Sequence, residues 1–427
     1  MMLRIVNVED HESQGFNMEN LAQAQAEYNA FKERGLSLDI TRGKPSAEQL
    51  DLSAELLTNV TNETATSADG VDTRNYGGLK GLTELREIFS SLLRVPTEQL
   101  YAQGNSSLVL MSQILQFHLL HDSPDGSAWA GQKRAILCPV PGYDRHFGLA
   151  ESLGFELIPV EMDDEGPVLE QVAEYTKRED VKGMWVVPAY SNPTGVNVSP
   201  ERAKALAELP ATPDFKLLWD NAYALHHLGE NDQAPVLDIL DVCRQAGNPN
   251  RVWIFASTSK ITQAGAGVAF IGSSQQNMEW YEACLSPTSI GPDKINHLRH
   301  ARFFRDADGV RAHMQAHAAI LQPKFEVTEK ILDRDLGNVE GVSWTKPHGG
   351  YFITLTVPNG TATRTVELAA QAGVKLTPAG STHPYGEDPT DSIIRLAPSM
   401  PPLEELEAAV EGLVACVRLA VAERGDK

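Results

Sequence analysis

The sequence predicts an α/β fold: a mostly parallel sheet of the seven-stranded type, flanked by helices, with a smaller α+β domain beside it. Three observations carry this. Apolar runs rich in β-branched and aromatic residues alternate with helix-length segments, the pattern of a parallel sheet covered on both faces. Three of these runs stop, in order, on polar residues: Trp185-Val186-Val187-Pro188-Ala189-Tyr190 at Ser191-Asn192-Pro193-Thr194-Gly195, Leu217-Leu218-Trp219 at Asp220-Asn221-Ala222-Tyr223, and Val252-Trp253-Ile254-Phe255-Ala256 at Ser257-Thr258-Ser259-Lys260. From about Pro292 the texture changes to long polar-amphipathic stretches and short strands. Open α/β sheets place ligands beyond the carboxyl ends of their strands, so Asn192, Asp220, Tyr223, Ser257 and Lys260 become candidates on position alone.

A chain of 427 residues can bury a large core and is expected to hold two domains. A net charge of −21 argues against a nucleic-acid surface, which needs a basic footprint. Cys138, Cys243, Cys284 and Cys416 lie far apart with no Cys-x-x-Cys pair, so neither a disulfide framework nor a zinc knuckle is expected. No stretch carries the ~20 apolar residues of a membrane span, and the N-terminus lacks the order of a signal peptide. The expectation is a cytoplasmic protein.

Taken in order, Met1 to about Gln14 shows no pattern. Asn17 to Arg34 reads as a helix with Asn17 as its cap, Leu21 and Tyr28 on one face and Gly35 after its end. Gly43-Lys44-Pro45 reads as a loop. A loop runs through Arg74-Asn75-Tyr76-Gly77-Gly78 to a helix over Thr83–Leu93; its Lys80 is out of register for a phosphate-binding P-loop. Gly104-Asn105-Ser106-Ser107 precedes an apolar helix over Leu108–Leu120, whose exposed N–H groups suit either a phosphate or a plain serine cap. Arg134 to Val140 is strand-like and leads into Pro141-Gly142-Tyr143-Asp144-Arg145. A strand over Phe155–Met162, helices over Val168–Arg178, Pro200–Leu209 and Pro235–Ala246, and an apolar run over Gly267–Gly272 complete the larger part. Lys294 to Leu336 reads as one or two helices. Strands follow at Val342–Trp344, Tyr351–Leu355 and Ser392–Leu396, then a helix over Pro402–Arg424. The expected division is residues 1–45 as an N-terminal segment packing on the small domain, 46–295 as the large domain and 296–427 as the small one.

Ser-x-x-Lys at a strand end does not by itself separate a surface lysine from a nucleophilic amine with a lowered pKa. The ordered set Asn-Pro-Thr-Gly, Asp-x-x-Tyr and Ser-x-x-Lys resembles the fold-type I pyridoxal-phosphate (PLP) aminotransferases of the class I/II superfamily, over roughly Arg42 to Arg395. Within them it resembles the actinobacterial aspartate aminotransferase branch. That resemblance implies roles. Lys260 would bind the cofactor aldehyde and act as the base. Asp220 would face the pyridinium nitrogen, keeping the ring an electron sink. Asn192 and Tyr223 would hydrogen-bond the ring's 3-oxygen, and Tyr143 would stack on the ring. Ser106, Ser107 and Ser257 would hold the phosphate, with Tyr76 reaching the phosphate of the other subunit in a homodimer. Arg395 would clamp the substrate α-carboxylate in a two-pronged pair, with Asn192 and the close-approach Gly43 beside it.

One departure stands out. The family carries a phosphate-pairing arginine several residues after the lysine, but Ile261-Thr262-Gln263-Ala264-Gly265-Ala266-Gly267 has none; Thr262 or Gln263 is the expected replacement. Arg145, with Lys294, Arg299 and Arg42 as competitors, is the expected reader of a dicarboxylate side chain. The expected reaction moves the amino group of L-aspartate to 2-oxoglutarate. An aromatic or kynurenine-type aminotransferase, an aspartate β-decarboxylase and a PLP-binding regulator are the alternatives. The regulator reading is disfavoured because about forty residues before Arg42 are too few for a basic DNA-binding module. His313 and His317 lack the glutamate of a zinc-peptidase His-Glu-x-x-His and read as exposed or packed. No Lys-Thr-Gly accompanies the Ser-x-x-Lys, against a penicillin-binding enzyme.

Overall fold

Residues 9–229 and 233–425 are described by the computed structural model of the chain. Its strands are β1 (Leu38–Asp39), β2 (Leu100–Ala102), β3 (Ala135–Val140), β4 (Glu156–Asp163), β5 (Gly166–Pro167), β6 (Val181–Val186), β7 (Lys216–Asp220), β8 (Val252–Ser257), β9 (Ala269–Gly272), β10 (Ser343–Trp344), β11 (Ile353–Thr356), β12 (Val374–Lys375) and β13 (Ile393–Leu396). The large sheet runs β2-β9-β8-β7-β6-β3-β4-β5. Strands β8, β7, β6, β3 and β4 are mutually parallel, so their carboxyl ends share one edge.

Alternation explains why these segments are strands. On β8, Val252, Ile254 and Ala256 join one buried cluster while Trp253 and Phe255 join another. On β6, Met184 and Val186 face one way and Trp185 the other; β7 divides Leu217 and Trp219 from Leu218. Both faces are apolar, so the runs are continuously hydrophobic, as a sheet covered by helices on both sides requires. Strand β9 pairs antiparallel with β8. The link from Ser257 to Ala269 holds only a short 3-10 turn at Ala264–Ala266, without the crossover helix that a parallel return needs.

A third cluster builds the smaller unit. Antiparallel strands β10-β11-β13 pack with the helices Ala307–Leu336, Ala362–Gln371 and Leu403–Gly425. Ala24, Tyr28 and Phe31 of the N-terminal helix belong to the same cluster. Gly412 admits that contact, because a Cβ there would lie 2.3 Å from the Phe31 ring. The N-terminal helix spans Glu9–Glu33, so Asn17 is inside it and not its cap. Residues 1–8 of the patternless N-terminal stretch lie outside the described residues. Lys294 to Leu336 resolves into Lys294–Phe304 and Ala307–Leu336. Arg305 turns to φ 68° between them, and the Asp306 carboxylate caps the second by accepting from Gly309 N at 2.8 Å. The helix expected over Pro235–Ala246 is shorter, Ile239–Gln245, and begins behind an Asp238 cap.

The amino edge of the sheet holds structural charges. Lys182 donates to Asp214 at 2.7 Å with both side chains nearly dry. Burial alone would raise the Asp214 carboxyl, but hydrogen bonds from Lys182, Thr212 and Trp129 outweigh it and hold the group below its ordinary value. Stability from a depressed carboxyl is present above the unfolded-state value and lost as pH falls through the folded one, so its loss is confined to pH below about 4. Lys182→Met leaves Asp214 buried without its cation and is expected to cost about 3–5 kcal/mol near neutral pH, read by denaturant titration. That cost is expected to shrink as Asp214 is protonated in acid; a cost independent of pH would contradict this account.

Candidate active site

At the shared carboxyl edge, β7 ends on Asp220, which is 3% exposed. The β-strand geometry leaves its carboxylate at the strand end, where His146 meets it: His146 Nε2 lies 3.0 Å from Asp220 Oδ2. His146 belongs to the helix Asp144–Ser152, and its ring stacks on Trp185 of β6 at 4.3 Å and 8°. One carboxylate oxygen is therefore pinned. The other, Oδ1, is buried and has no hydrogen-bond partner within the chain. A dry carboxylate oxygen without a donor is costly, and an N–H from outside the chain would relieve that cost.

Beyond β8, the Lys260 Nζ lies 4.8 Å from the centre of the Tyr223 ring. Burial, with the Asp220 charge nearby, raises the Tyr223 phenol far above its ordinary value. Tyr143 stands at the same place, its ring 4.9 Å from that of His146; burial pushes its phenol up to about 12, against the opposing charge of Lys260. The backbone of the lysine is gripped from behind. The Lys260 carbonyl accepts from His226 Nε2 and from the Tyr351 hydroxyl, each at 3.3 Å. His313 Nε2 lies 2.6 Å from the Ile261 carbonyl, and Gln49 joins Tyr351 and His317 at 3.0 Å each. Burial, with the charges of His317 and Lys260, pushes His226 down to about 3, and burial pushes His317 to about 4, so these are neutral imidazoles that hold the loop.

The lysine loop is also stitched to the start of the helix Ser107–Leu120. Ser259 Oγ donates to the Asn105 carbonyl at 2.9 Å, and Asn105 Nδ2 donates to the Gly265 carbonyl at 3.3 Å. This ties Asn105, the residue before Ser106 and Ser107, to the loop that carries Lys260. Ser106 accepts from Val109 N as the helix cap. Of the two expected substitutes for the missing arginine, Thr262 is buried with its hydroxyl against Thr258 and His300, and Gln263 is half-buried and donates to the Ser53 carbonyl at 3.4 Å. Thr262 faces inward because it lies one helical turn past Thr258, whose own side chain caps Val268 N.

Arg395 of β13 is 7% exposed. Its NH1 donates to Asp144 Oδ1 at 3.0 Å and to Asn192 Oδ1 at 3.3 Å, its NH2 donates to Thr377 Oγ1 at 3.4 Å, and its Nε is buried without an acceptor. Its guanidinium lies over the Phe352 ring at 5.1 Å. Gly43 backs that ring. Tyr76 is 82% exposed, held by Lys294, whose Nζ donates to the Asn75 and Gly77 carbonyls at 2.7 Å; Lys294 is thereby occupied. Arg145 is exposed, on a helix turn whose neighbours Asp144 and His146 are tied to Arg395 and Asp220. Arg42 is exposed and Arg299 half-buried.

The sequence reading missed His146, Asp144, Phe352, Gln49 and the role of His226, His313 and His317. The three-residue step from Tyr143 to His146 was the available signal for His146, since that spacing puts both on one side of a helix start. Nothing local signals Gln49 or Phe352. A methyl at Gly43 would sit 2.6 Å from the Phe352 ring, so Gly43→Ala is expected to cost about 1–3 kcal/mol. In a double-mutant cycle, adding Phe352→Leu is expected to remove most of that cost; full additivity would show that the methyl finds room elsewhere.

Comparison with known proteins agrees with this geometry. The family profile described as aspartate amino-transferase matches residues 13–426. An aspartate aminotransferase of Corynebacterium glutamicum is 49% identical over 93% of this chain and 92% of its own. A crystal structure of an aspartate transaminase from the same species superposes with a TM-score of 0.94 at 46% identity, covering 98% of each chain. An α-aminoadipate aminotransferase of Thermus thermophilus, complexed with N-(5'-phosphopyridoxyl)-L-leucine, shares the fold at a TM-score of 0.73 and 20% identity, covering 94% of this chain and 98% of its own. With a buried carboxylate and a lysine following two neighbouring parallel strands, on a chain this similar from end to end, the protein belongs to the aspartate aminotransferase family.

Proposed function

We propose that the chain binds pyridoxal 5'-phosphate and transfers the amino group of L-aspartate to 2-oxoglutarate, giving oxaloacetate and L-glutamate, as a homodimer. The observation that carries this is the Asp220 carboxylate, pinned at Oδ2 by His146 and lacking any donor at Oδ1. A pyridine nitrogen that stays protonated fits that vacancy. When bound, the cofactor supplies an aldehyde for the amine and an electron sink for the donor's Cα.

The remaining work falls to the chain. Lys260 would hold the cofactor and, once freed, carry the proton from the donor's Cα. Asp220 would keep the ring nitrogen protonated, and His146 orients it. Tyr143 would cover one face of the ring. Asn192 and Tyr223 would hydrogen-bond its 3-oxygen. The helix start at Ser106 and Ser107, with Ser257, would take the phosphate. The exposed Tyr76 would reach the phosphate of a second copy. Arg395, with Asn192, would hold the α-carboxylate, and Arg145 would read the side-chain carboxylate. Aspartate as donor is supported by the relatives at 46–49% identity.

A panel of amino donors with 2-oxoglutarate tests this. Oxaloacetate and glutamate in equal amounts from aspartate are expected. Alanine from aspartate would instead mean decarboxylation, and preference for aromatic donors would move the protein to the aromatic class. Lys260→Ala is expected to lower turnover by roughly 10²–10⁴-fold or more with the fold intact by circular dichroism. Arg145→Gln is expected to raise KM for aspartate far more than for a neutral amino acid; equal loss on both would remove it from the specificity role.

A further inference from the structure

The Arg395 guanidinium is not free to wait for a substrate: a carboxylate of the chain already touches it. Asp144 Oδ1 accepts from NH1 at 3.0 Å. The contact is end-on, with a single oxygen on a single nitrogen, whereas a guanidinium fork offers two parallel N–H groups to a carboxylate that approaches in its plane. NH2 holds only the long 3.4 Å contact to Thr377, and Nε has no acceptor. The fork is thus only partly used. Asp144 opens the helix Asp144–Ser152, where the exposed N–H groups favour a negative charge, and its side chain is 35% exposed against 7% for that of Arg395. Asp144 can therefore turn to water at little cost, while Arg395 cannot.

We propose that Asp144 is a stand-in counter-ion. It occupies the Arg395 fork when no substrate is bound, and it is displaced by the α-carboxylate of the amino or oxo acid, which makes the two-pronged pair that Asp144 does not. A nearly dry guanidinium with no anion would carry a heavy desolvation cost; Asp144 offsets that cost in the resting protein. The consequence is a weaker affinity for every carboxylate ligand than the bare fork would give. The identity of Asp144 sets that affinity, and the reacting atoms are left alone. This rests on the reading of Arg395 as the carboxylate clamp.

The test uses the full-length protein carrying its cofactor, with Asp144→Asn and Asp144→Ser, both of which remove the charge and keep a polar side chain at the first residue of the helix. KM and kcat are measured for the amino donor, and the Kd of succinate is measured by calorimetry at low and high chloride. Both variants are expected to lower KM and the succinate Kd by roughly 2- to 5-fold, the range of a partly exposed ion pair, with the effect on KM rather than on kcat. Chloride is expected to weaken succinate binding more in the variants, because the uncovered fork takes small anions. A raised KM and Kd would overturn the proposal by making Asp144 a support that positions Arg395, and unchanged values would make the pair a bystander. Arg395→Lys separates the two readings. If it leaves the succinate Kd unchanged, the clamp itself is wrong; if it weakens binding while the Asp144 variants fail to tighten it, only the stand-in role falls.

Discussion

A carboxylate buried at the end of a central strand constrains everything around it. Asp220 sits in a place where an unpaired anion is expensive, and the surrounding elements are arranged to make it tolerable at one oxygen only. Strand β7 delivers it, the helix Asp144–Ser152 brings His146 to Oδ2, and β6 supplies Trp185 to fix the imidazole plane. The vacancy at Oδ1 is then a property of the whole sheet edge. It holds only while the strands on either side stay in register, because a one-residue slip of β7 would turn Asp220 to the opposite face.

The two edges of the same sheet treat charge in opposite ways. At the amino edge, Lys182 and Asp214 close on each other, and Lys216 pairs with Asp125 and the Asn250 carbonyl. Those groups satisfy one another and contribute to the fold. At the carboxyl edge, Asp220, Arg395 and His226 each keep a buried polar atom without a partner. Such atoms cost stability wherever they occur, and they also occur near the amino edge, at Thr212 and Asn277; what sets the carboxyl edge apart is that one of them belongs to a strand-end carboxylate. The neutral imidazoles behind Lys260 fit this division. They come from a loop after β7 and from the helix Ala307–Leu336, and with Gln49 and Tyr351 they tie the backbone of Lys260 and Ile261 to the smaller unit. The lysine is therefore held by both halves of the molecule.

Much of this was legible in the sequence, for identifiable reasons. Continuous apolar runs ending on polar residues betray parallel strands directly, so Asp220, Ser257 and Lys260 could be placed at one edge from the sequence; the run expected to end at Asn192 is strand only over Val181–Val186, and Asn192 lies in the loop after it. Where reading failed, a tertiary contact decided. The direction of β9 depends on the length of the link before it, not on its own composition. The N-terminal helix starts earlier than its polar sequence suggests, because packing of Ala24, Tyr28 and Phe31 against the C-terminal helix outweighs weak local signals. Thr262 was a candidate because the stretch after Lys260 holds no arginine, yet the turn there points it at His300. Asp144 carries no signal of its own in the sequence, and only the fold brings it to an arginine far along the chain. His146 was half legible, since its spacing from Tyr143 was visible but its partner was not.

Chemical trapping of the cofactor tests the account most directly. Incubation with pyridoxal 5'-phosphate, reduction with borohydride, proteolysis and mass spectrometry would locate the attachment. A single phosphopyridoxyl group per chain on the peptide containing Lys260 is the predicted result. Label spread over surface lysines, or concentrated on any lysine other than Lys260, would contradict it.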